Sequence, residues 1–258
     1  MSFLLQEHIL ELESMKSYPK DIYYKGNLDL LKRRKVSIVG TRKPSVYTKS
    51  TIMQISSSLA SRGVAIVSGA AIGVDAVAHN GAGFDHTIAV MGCGIEHRYP
   101  KINGKLIESI ETKGGLVLSQ FEPDFVATTW SFVVRNELVV ALGEILLVAQ
   151  ADLHSGTMRS VEYAKKMGKP IFVLPHRLGE SEGTNSLLES KEAEAIYDIE
   201  KFVNRFGDLS SKDEDEFIQF CKKSPSYEEA MKRFGSKVFE AELDGSIVVK
   251  DGRIVCNI

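Results

Sequence analysis

The chain has 258 residues, 43% of them hydrophobic and 26% charged, with 32 Lys and Arg against 34 Asp and Glu. That balance suits one sizeable core plus a small second module and excludes collagenous, disordered and disulfide-scaffold chains. With a formal net charge of −2 there is no overall pull toward a polyanion, so any such site must come from local arrangement.

No apolar run approaches the roughly 18 residues that span a bilayer. The start, Met1-Ser2-Phe3-Leu4-Leu5-Gln6-Glu7-His8, lacks the basic flank and long apolar stretch of a signal peptide. The expectation is a cytoplasmic protein with no membrane contact. Cys93, Cys221 and Cys256 are far apart and odd in number, so they form neither a disulfide framework nor a Cys-x-x-Cys pair. Six scattered histidines offer no ligand spacing, and neither a metal ion nor another cofactor is expected.

In chain order, Ser2 to Lys16 reads as a short helix within an N-terminal appendage, 1–31, with Phe3, Leu4, Ile9 and Leu12 available to pack. From Lys35 onward short Val- and Ile-rich runs alternate with amphipathic stretches, the pattern of parallel strands joined by crossover helices. The runs are 36–39, 64–67, 87–90, 116–118, 145–148 and 171–174. Each is continuous rather than alternating, as strands covered on both faces require. Helical patterning falls at 45–61, 75–80, 104–113, 131–142 and 156–167. The fold class is α/β, a doubly wound, mostly parallel sheet over 32–206. A linker is expected at 207–212, where Gly207, Asp208, Ser210 and Ser211 cluster before an acidic run that suits a helix's first turn. In 213–258 two or three short helices, one opened by the capping pattern Ser226-Tyr227-Glu228-Glu229, precede a hairpin turning at Asp251-Gly252. Helices followed by a hairpin outline a winged helix.

Ligands of open parallel sheets sit beyond the carboxyl ends of the strands. The first such loop carries Gly40, Thr41, Arg42, Lys43 and Ser45, a glycine, hydroxyls and two cations ahead of a helix, which suits a phosphate. A second loop, Ser68-Gly69-Ala70-Ala71-Ile72-Gly73-Val74-Asp75, is built of small residues that let backbone N–H groups approach an anion. It lacks the Gly-Lys-Ser/Thr of a nucleoside triphosphatase. Asp75 suits a cap, and His79, one turn later, suits a bond to it. Met91 to Ile95, Tyr99 to Asn103, Phe132 with Arg135 and Asn136, and Ser155-Gly156-Thr157 belong to the same rim. Phe132 beside Arg135 would offer a stacking face next to a phosphate-binding cation, the combination single strands need.

In that order these blocks, with Gly183-Thr184-Asn185, resemble the DNA-processing protein A (DprA/Smf) family over roughly Lys32 to Val203. The resemblance implies an extended Rossmann-like domain that binds single-stranded DNA, forms a homodimer and helps load a RecA-type recombinase during natural transformation. Carried over, Arg42 is the basic residue of the first loop, Ser68, Gly69 and Gly73 the cradle of the second, and Phe132, Arg135 and Asn136 complete the pocket. Two positions depart from the family pattern: Val133 replaces a proline, and Glu137 stands where a base is usual. The terminal module is similar to the family's winged-helix-like domain, but ten acidic against seven basic residues over 213–258 favour a protein-contact or folding role over DNA reading. The alternative is an enzyme, an N-glycoside hydrolase of a related Rossmann family that would use Glu162 and Arg159; Glu162 reads more simply as a solvated helix residue. No catalytic residue is assigned under the first reading. Leu187, Leu188 and Ile196 fit either a dimer face or internal core.

Overall fold

The Val- and Ile-rich runs form strands, and the amphipathic stretches between them form the covering helices. The computed structural model describes residues 3–207, 216–221, 223–243, 245–250 and 252–256. The chain divides into two units, Met1–Asp208 and Leu209–Ile258. Most of the expected linker, the acidic residues 213–215 and Asp251 of the expected turn lie outside the described residues.

The first unit begins with β1 (Phe3–Leu4), β2 (Tyr23–Gly26), β3 (Lys35–Val39), α1 (Val46–Ala60), β4 (Ala65–Ser68), α2 (Val74–Ala82), β5 (Thr87–Val90), α3 (Gly104–Thr112) and β6 (Leu116–Ser119). It continues through α4 (Thr129–Leu142), β7 (Ile145–Val148), α5 (Gly156–Lys166), β8 (Ile171–Val173), α6 (Glu182–Glu189), β9 (Glu194–Ala195) and α7 (Ile199–Val203). The nine strands make one sheet in the order β1-β2-β6-β5-β4-β3-β7-β8-β9. β3 to β9 pair parallel, while β1 with β2 and β2 with β6 pair antiparallel. Six of these strands are legible as apolar runs; β1, β2 and β9 are too short or too polar to show.

One apolar layer packs Ile52, Ile55 and Leu59 of α1 and Ala78 of α2 on Val36, Ile38 and Ile66. The opposite layer packs Leu138 to Leu142 of α4 and Val161 and Ala164 of α5 on Val67, Val90 and Leu146. Burial on both faces explains why the strand runs do not alternate. Leu187 and Ile196 are 2% and 6% exposed, which places both in the core.

The N-terminal segment corrects the expected helix. Phe3 and Leu4 pair with Tyr24 and Tyr23 instead, and only a 3₁₀ turn forms at Leu10–Ser14. The main-chain N–H of Ile9 donates to Tyr18 Oη (2.9 Å) rather than to a carbonyl four residues back. Burial of Ile9, Leu12 and Met15 in the α4 layer fixes the segment more strongly than helix propensity does.

The second unit holds α8 (Glu216–Cys221), α9 (Tyr227–Phe234), α10 (Ser236–Leu243) and a hairpin of β10 (Ile247–Lys250) with β11 (Arg253–Cys256). Phe217, Ala230, Val238, Ile247 and Ile254 form its core. Ser226 and Glu229 make the reciprocal cap of α9.

Candidate nucleic-acid interface

Strand register brings the carboxyl ends level: Val39 pairs with Val148, Ser68 with Ala89 and Val90 with Leu118. From β3 the chain winds outward through β4 on one side and β7 on the other, so the crevice beyond β3 and β7 is a topological switch point. A cleft of about 400 Å³ opens there. Gly40, Thr41, Arg42 and Lys43 line one wall, and Ser155, Gly156 and Thr157 another. Phe132, Arg135 and Asn136 of α4 and Ala71 and Asp75 of the second loop close it. A chamber of about 60 Å³ shares Arg42, Phe132 and Arg135 and adds Gly69, Tyr99 and Pro100.

The first loop is anchored from the loop after β7. Thr41 N–H donates to the Gln150 carbonyl at 2.8 Å, and Ser45 N–H to Gln150 Oε1 at 2.9 Å. Ser45 Oγ caps α1 by accepting from Thr48 N–H (3.1 Å). Arg42 and Lys43 are exposed, and neither side chain has a hydrogen-bond or ion-pair partner among the described residues. They are free to meet an anion.

The second loop is arranged differently from a simple anion cradle. Asp75 Oδ2 accepts from Gly69 N–H (3.1 Å) and Ala71 N–H (3.2 Å), so an internal carboxylate holds two of the amides expected for a ligand. Ala70, at φ 53°, is left-handed, and its carbonyl accepts from Asn103 Nδ2 at 3.0 Å. Ser68 Oγ donates to the Ile38 carbonyl (2.7 Å). Gly73, at φ 91°, touches the first loop so closely that a Cβ would lie 2.5 Å from the Thr41 carbonyl oxygen. His79 does not bond to Asp75. Its Nδ1 pairs with Thr87 Oγ1, and its Nε2 has no partner among the described residues. Burial lowers its pKa to about 3, with the Arg135 charge adding to the effect, so the ring is neutral.

On α4, Thr128 N–H donates to Ser131 Oγ (3.0 Å), which itself donates to the Gly92 carbonyl (2.6 Å). This fixes the start of the helix against the loop after β5. Phe132 is half-buried, lies 5.6 Å from the Tyr99 ring between centroids, and sits where a Cβ on Gly92 would be 2.5 Å from its Cδ1. Arg135 is 5% exposed. Its Nη1 donates to the carbonyls of Gly69 (2.5 Å) and Val90 (2.6 Å), and its Nε to Asn136 Oδ1 (3.1 Å). Burial lowers its pKa, Asp75 opposes that shift, and the like charge of Arg42 reinforces it. Burial likewise raises the Asp75 carboxyl against the pull of Arg135 and its two amides. At the start of α5, Ser155 Oγ is buried without a partner among the described residues, facing the cationic end of the helix dipole.

Of the residues singled out from sequence, Gly40, Thr41, Arg42, Lys43, Gly69, Asp75, Phe132, Arg135, Asn136, Ser155, Gly156 and Thr157 line the two chambers. Ser45, Ser68, Ala70 and Gly73 line neither and brace the loops from behind. Ala71 and Ile72 of the second-loop block, Tyr99 and Pro100 of the block after β5, and Val133 also line the chambers, and Ser160, one turn into α5, is a lining residue that was not singled out. Glu137, the acid at a usually basic position, turns away: its Oε1 accepts from Lys16 N–H (2.9 Å) and it lines neither chamber.

A family model for DNA recombination-mediator protein A matches residues 5–207. Over 183 residues the chain is 34% identical to DNA processing protein DprA of Streptococcus pneumoniae, covering 69% of this chain and 64% of that protein. It is 32% identical over 170 residues to DprA of Bacillus subtilis, covering 65% and 57%. The matched stretches thus span less than two thirds of these relatives. Among solved structures, DNA processing protein A from Helicobacter pylori, described for its unique single-stranded DNA binding mode, is 41% identical with a TM-score of 0.77, covering 80% of this chain and 95% of that one. The structure of S. pneumoniae DprA is 31% identical with a TM-score of 0.73, covering 81% and 75%. With the match running from β2 to β9 and through every loop of the cleft, this chain belongs to the DNA recombination-mediator protein A family.

Proposed function

We propose that the chain binds single-stranded DNA in the cleft beyond β3 and β7 and acts in recombination without catalysing a reaction, passing the bound strand to a RecA-type recombinase during DNA uptake. The observation that carries this reading is the presence of the exposed Arg42 and Lys43 with the Phe132 ring in one cleft at the carboxyl ends of the strands. The exposed, unpartnered Arg42 supplies a cation for a phosphate, and the aromatic face in the same cleft accepts any base. The H. pylori neighbour, described for binding single-stranded DNA, supports the same assignment. We place the protein in the cytoplasm and read it as a homodimer; no helix among the described residues is long and apolar enough to cross a membrane.

The hydrolase alternative finds little support in the cleft. Arg159 and Glu162 face each other on the exposed side of α5 at 3.9 Å and line neither chamber. Asp75 is the one carboxylate among the lining residues, and its Oδ2 is bound to two amides. The test is fluorescence anisotropy of a labelled single strand and of the matching duplex, titrated with the full chain at two salt concentrations. Tighter binding of the single strand that weakens with salt is expected. Equal affinity for both, or none, refutes the reading.

A further inference from the structure

We propose that Arg135 is a positioning residue rather than a phosphate ligand: it locks the second loop in the shape that lets Arg42 and Phe132 meet the strand. This rests on the single-strand reading of the cleft and assigns its cations different tasks. Three elements converge on the one guanidinium. It leaves α4 and donates from Nη1 to the Gly69 carbonyl just beyond β4 and to the Val90 carbonyl at the end of β5. It therefore ties two neighbouring strand ends to the helix that carries Phe132. The close fit shows in Gly69, where a Cβ would lie 2.5 Å from the guanidinium carbon. On the far side of the turn Asp75 takes the Gly69 and Ala71 amides, so the loop is held by a cation on its carbonyl side and an anion on its amide side. Asn103 secures the left-handed Ala70 between them.

A phosphate that drew Arg135 outward would leave two buried carbonyls without donors, which is unfavourable even where a new charged contact forms. Arg42, exposed and unpartnered, meets no such penalty. The same division explains why burial of Arg135, at 5% exposure, is compatible with a cationic cleft: its charge is offset inside the fold by Asp75.

The experiment compares the full-length wild type with Arg135→Gln and Gly69→Ala, reading affinity for a labelled oligo-dT strand between about 50 and 200 mM salt and hydrogen exchange of the peptide spanning Gly69–Ala71. Each phosphate-neutralising cation on a single strand contributes about 0.7 to the slope of log K against log salt. Under the proposal Arg135→Gln raises Kd about tenfold, leaves the slope unchanged and speeds exchange in the turn. Gly69→Ala removes no charge but displaces the guanidinium, and it weakens binding in the same way. The double variant is no worse than either single one, because both break one unit. A slope lowered by about 0.7 in Arg135→Gln, or Gly69→Ala binding as the wild type does, overturns the proposal. Should Arg135→Gln fail to fold, Gly69→Ala decides alone. Should the wild type bind no strand, the function proposed for the cleft fails, and the exchange of the Gly69–Ala71 peptide still tests the lock: unchanged exchange in both variants refutes it.

Discussion

Arg42→Ala tests how many charges grip the strand. Of the three cations lining the cleft, Arg135 is committed to main-chain carbonyls, which leaves Arg42 and Lys43 to neutralise phosphate. Two such contacts predict a slope of about −1.4 per chain for log K against log salt, and one contact about −0.7. Raising salt fourfold should then weaken the wild type about sevenfold and the variant about 2.6-fold. If two copies share one strand both slopes double, but the variant still shows half the wild-type value. Anisotropy titrations over that range measure it directly. Because Arg42 repels the buried Arg135 charge, its removal relieves the unbound fold, so the variant's melting temperature should not fall. Weaker binding with an undiminished slope would mean that Arg42 shapes the loop instead of meeting phosphate, and would refute this account of the cleft.

Three further outcomes are expected. Phe132→Ala removes a ring fixed against Gly92 and Tyr99 and should weaken single-strand binding by about 1–3 kcal/mol, five- to 150-fold in Kd, with the salt slope unchanged; a reduced slope would refute a stacking role. Gly73→Ala places a Cβ 2.5 Å from the Thr41 carbonyl oxygen at a φ of 91°, so it should both destabilise the fold by roughly 1–3 kcal/mol in urea melts and abolish tight binding. His79, with its pKa lowered to about 3 in the fold against 6.5 unfolded, gives its full stabilisation above pH 6.5 and loses it as pH falls, because the unfolded chain takes the proton first. Between pH 7.5 and 5.5 that loss is about 1.4 kcal/mol, and urea unfolding of His79→Leu should lack it; an identical pH dependence in the variant would contradict the buried neutral ring.

What could be read from the sequence follows from what each signal depends on. The six central strands are legible because burial on both faces forces unbroken Val and Ile runs, as in Ile145-Leu146-Leu147-Val148. The edge strands are hidden because pairing there is a tertiary event: Tyr23–Gly26 is half-exposed, and Phe3–Leu4 extends only because Tyr23 and Tyr24 lie alongside. Loop composition picked out most of the residues that line the cleft but not the contacts each group makes. Small residues around Gly69 suggested amides open to a ligand, whereas Asp75, six residues on, turns back to occupy them. Arg135 reads as a second phosphate contact because sequence carries no measure of depth; burial and the 2.5 Å bond to Gly69 O are what the positioning role proposed for it rests on. Glu137 looked like a defect in the site, yet its contact with Lys16 N–H depends on an N-terminal segment 121 positions away.

The net charge of −2 does not oppose the proposed binding, because Asp75 is the one acid among the residues lining the cleft and it is bound to two amides, while several other acids are paired away from it. Glu144 pairs with Arg34 at 2.7 Å, Glu111 with Arg98 at 2.7 Å, and Glu122 accepts from Tyr23 Oη at 2.8 Å. At a physiological screening length of about 8 Å, exposed charges farther than that from a strand in the cleft are largely screened from it. On the proposed function, affinity rests chiefly on two free cations and one ring per chain, and a second copy on the same strand is the simplest way to strengthen it. The two ingredients also separate. Phosphate charge is common to single and double strands, while a base can lie on Phe132 only when it is unpaired and free to leave its stack. Arg42→Ala should thus weaken binding to both forms and keep the preference between them. Phe132→Ala should lower single-strand affinity toward that of the duplex, and a preference that survives the loss of the ring would place the discrimination elsewhere in the cleft.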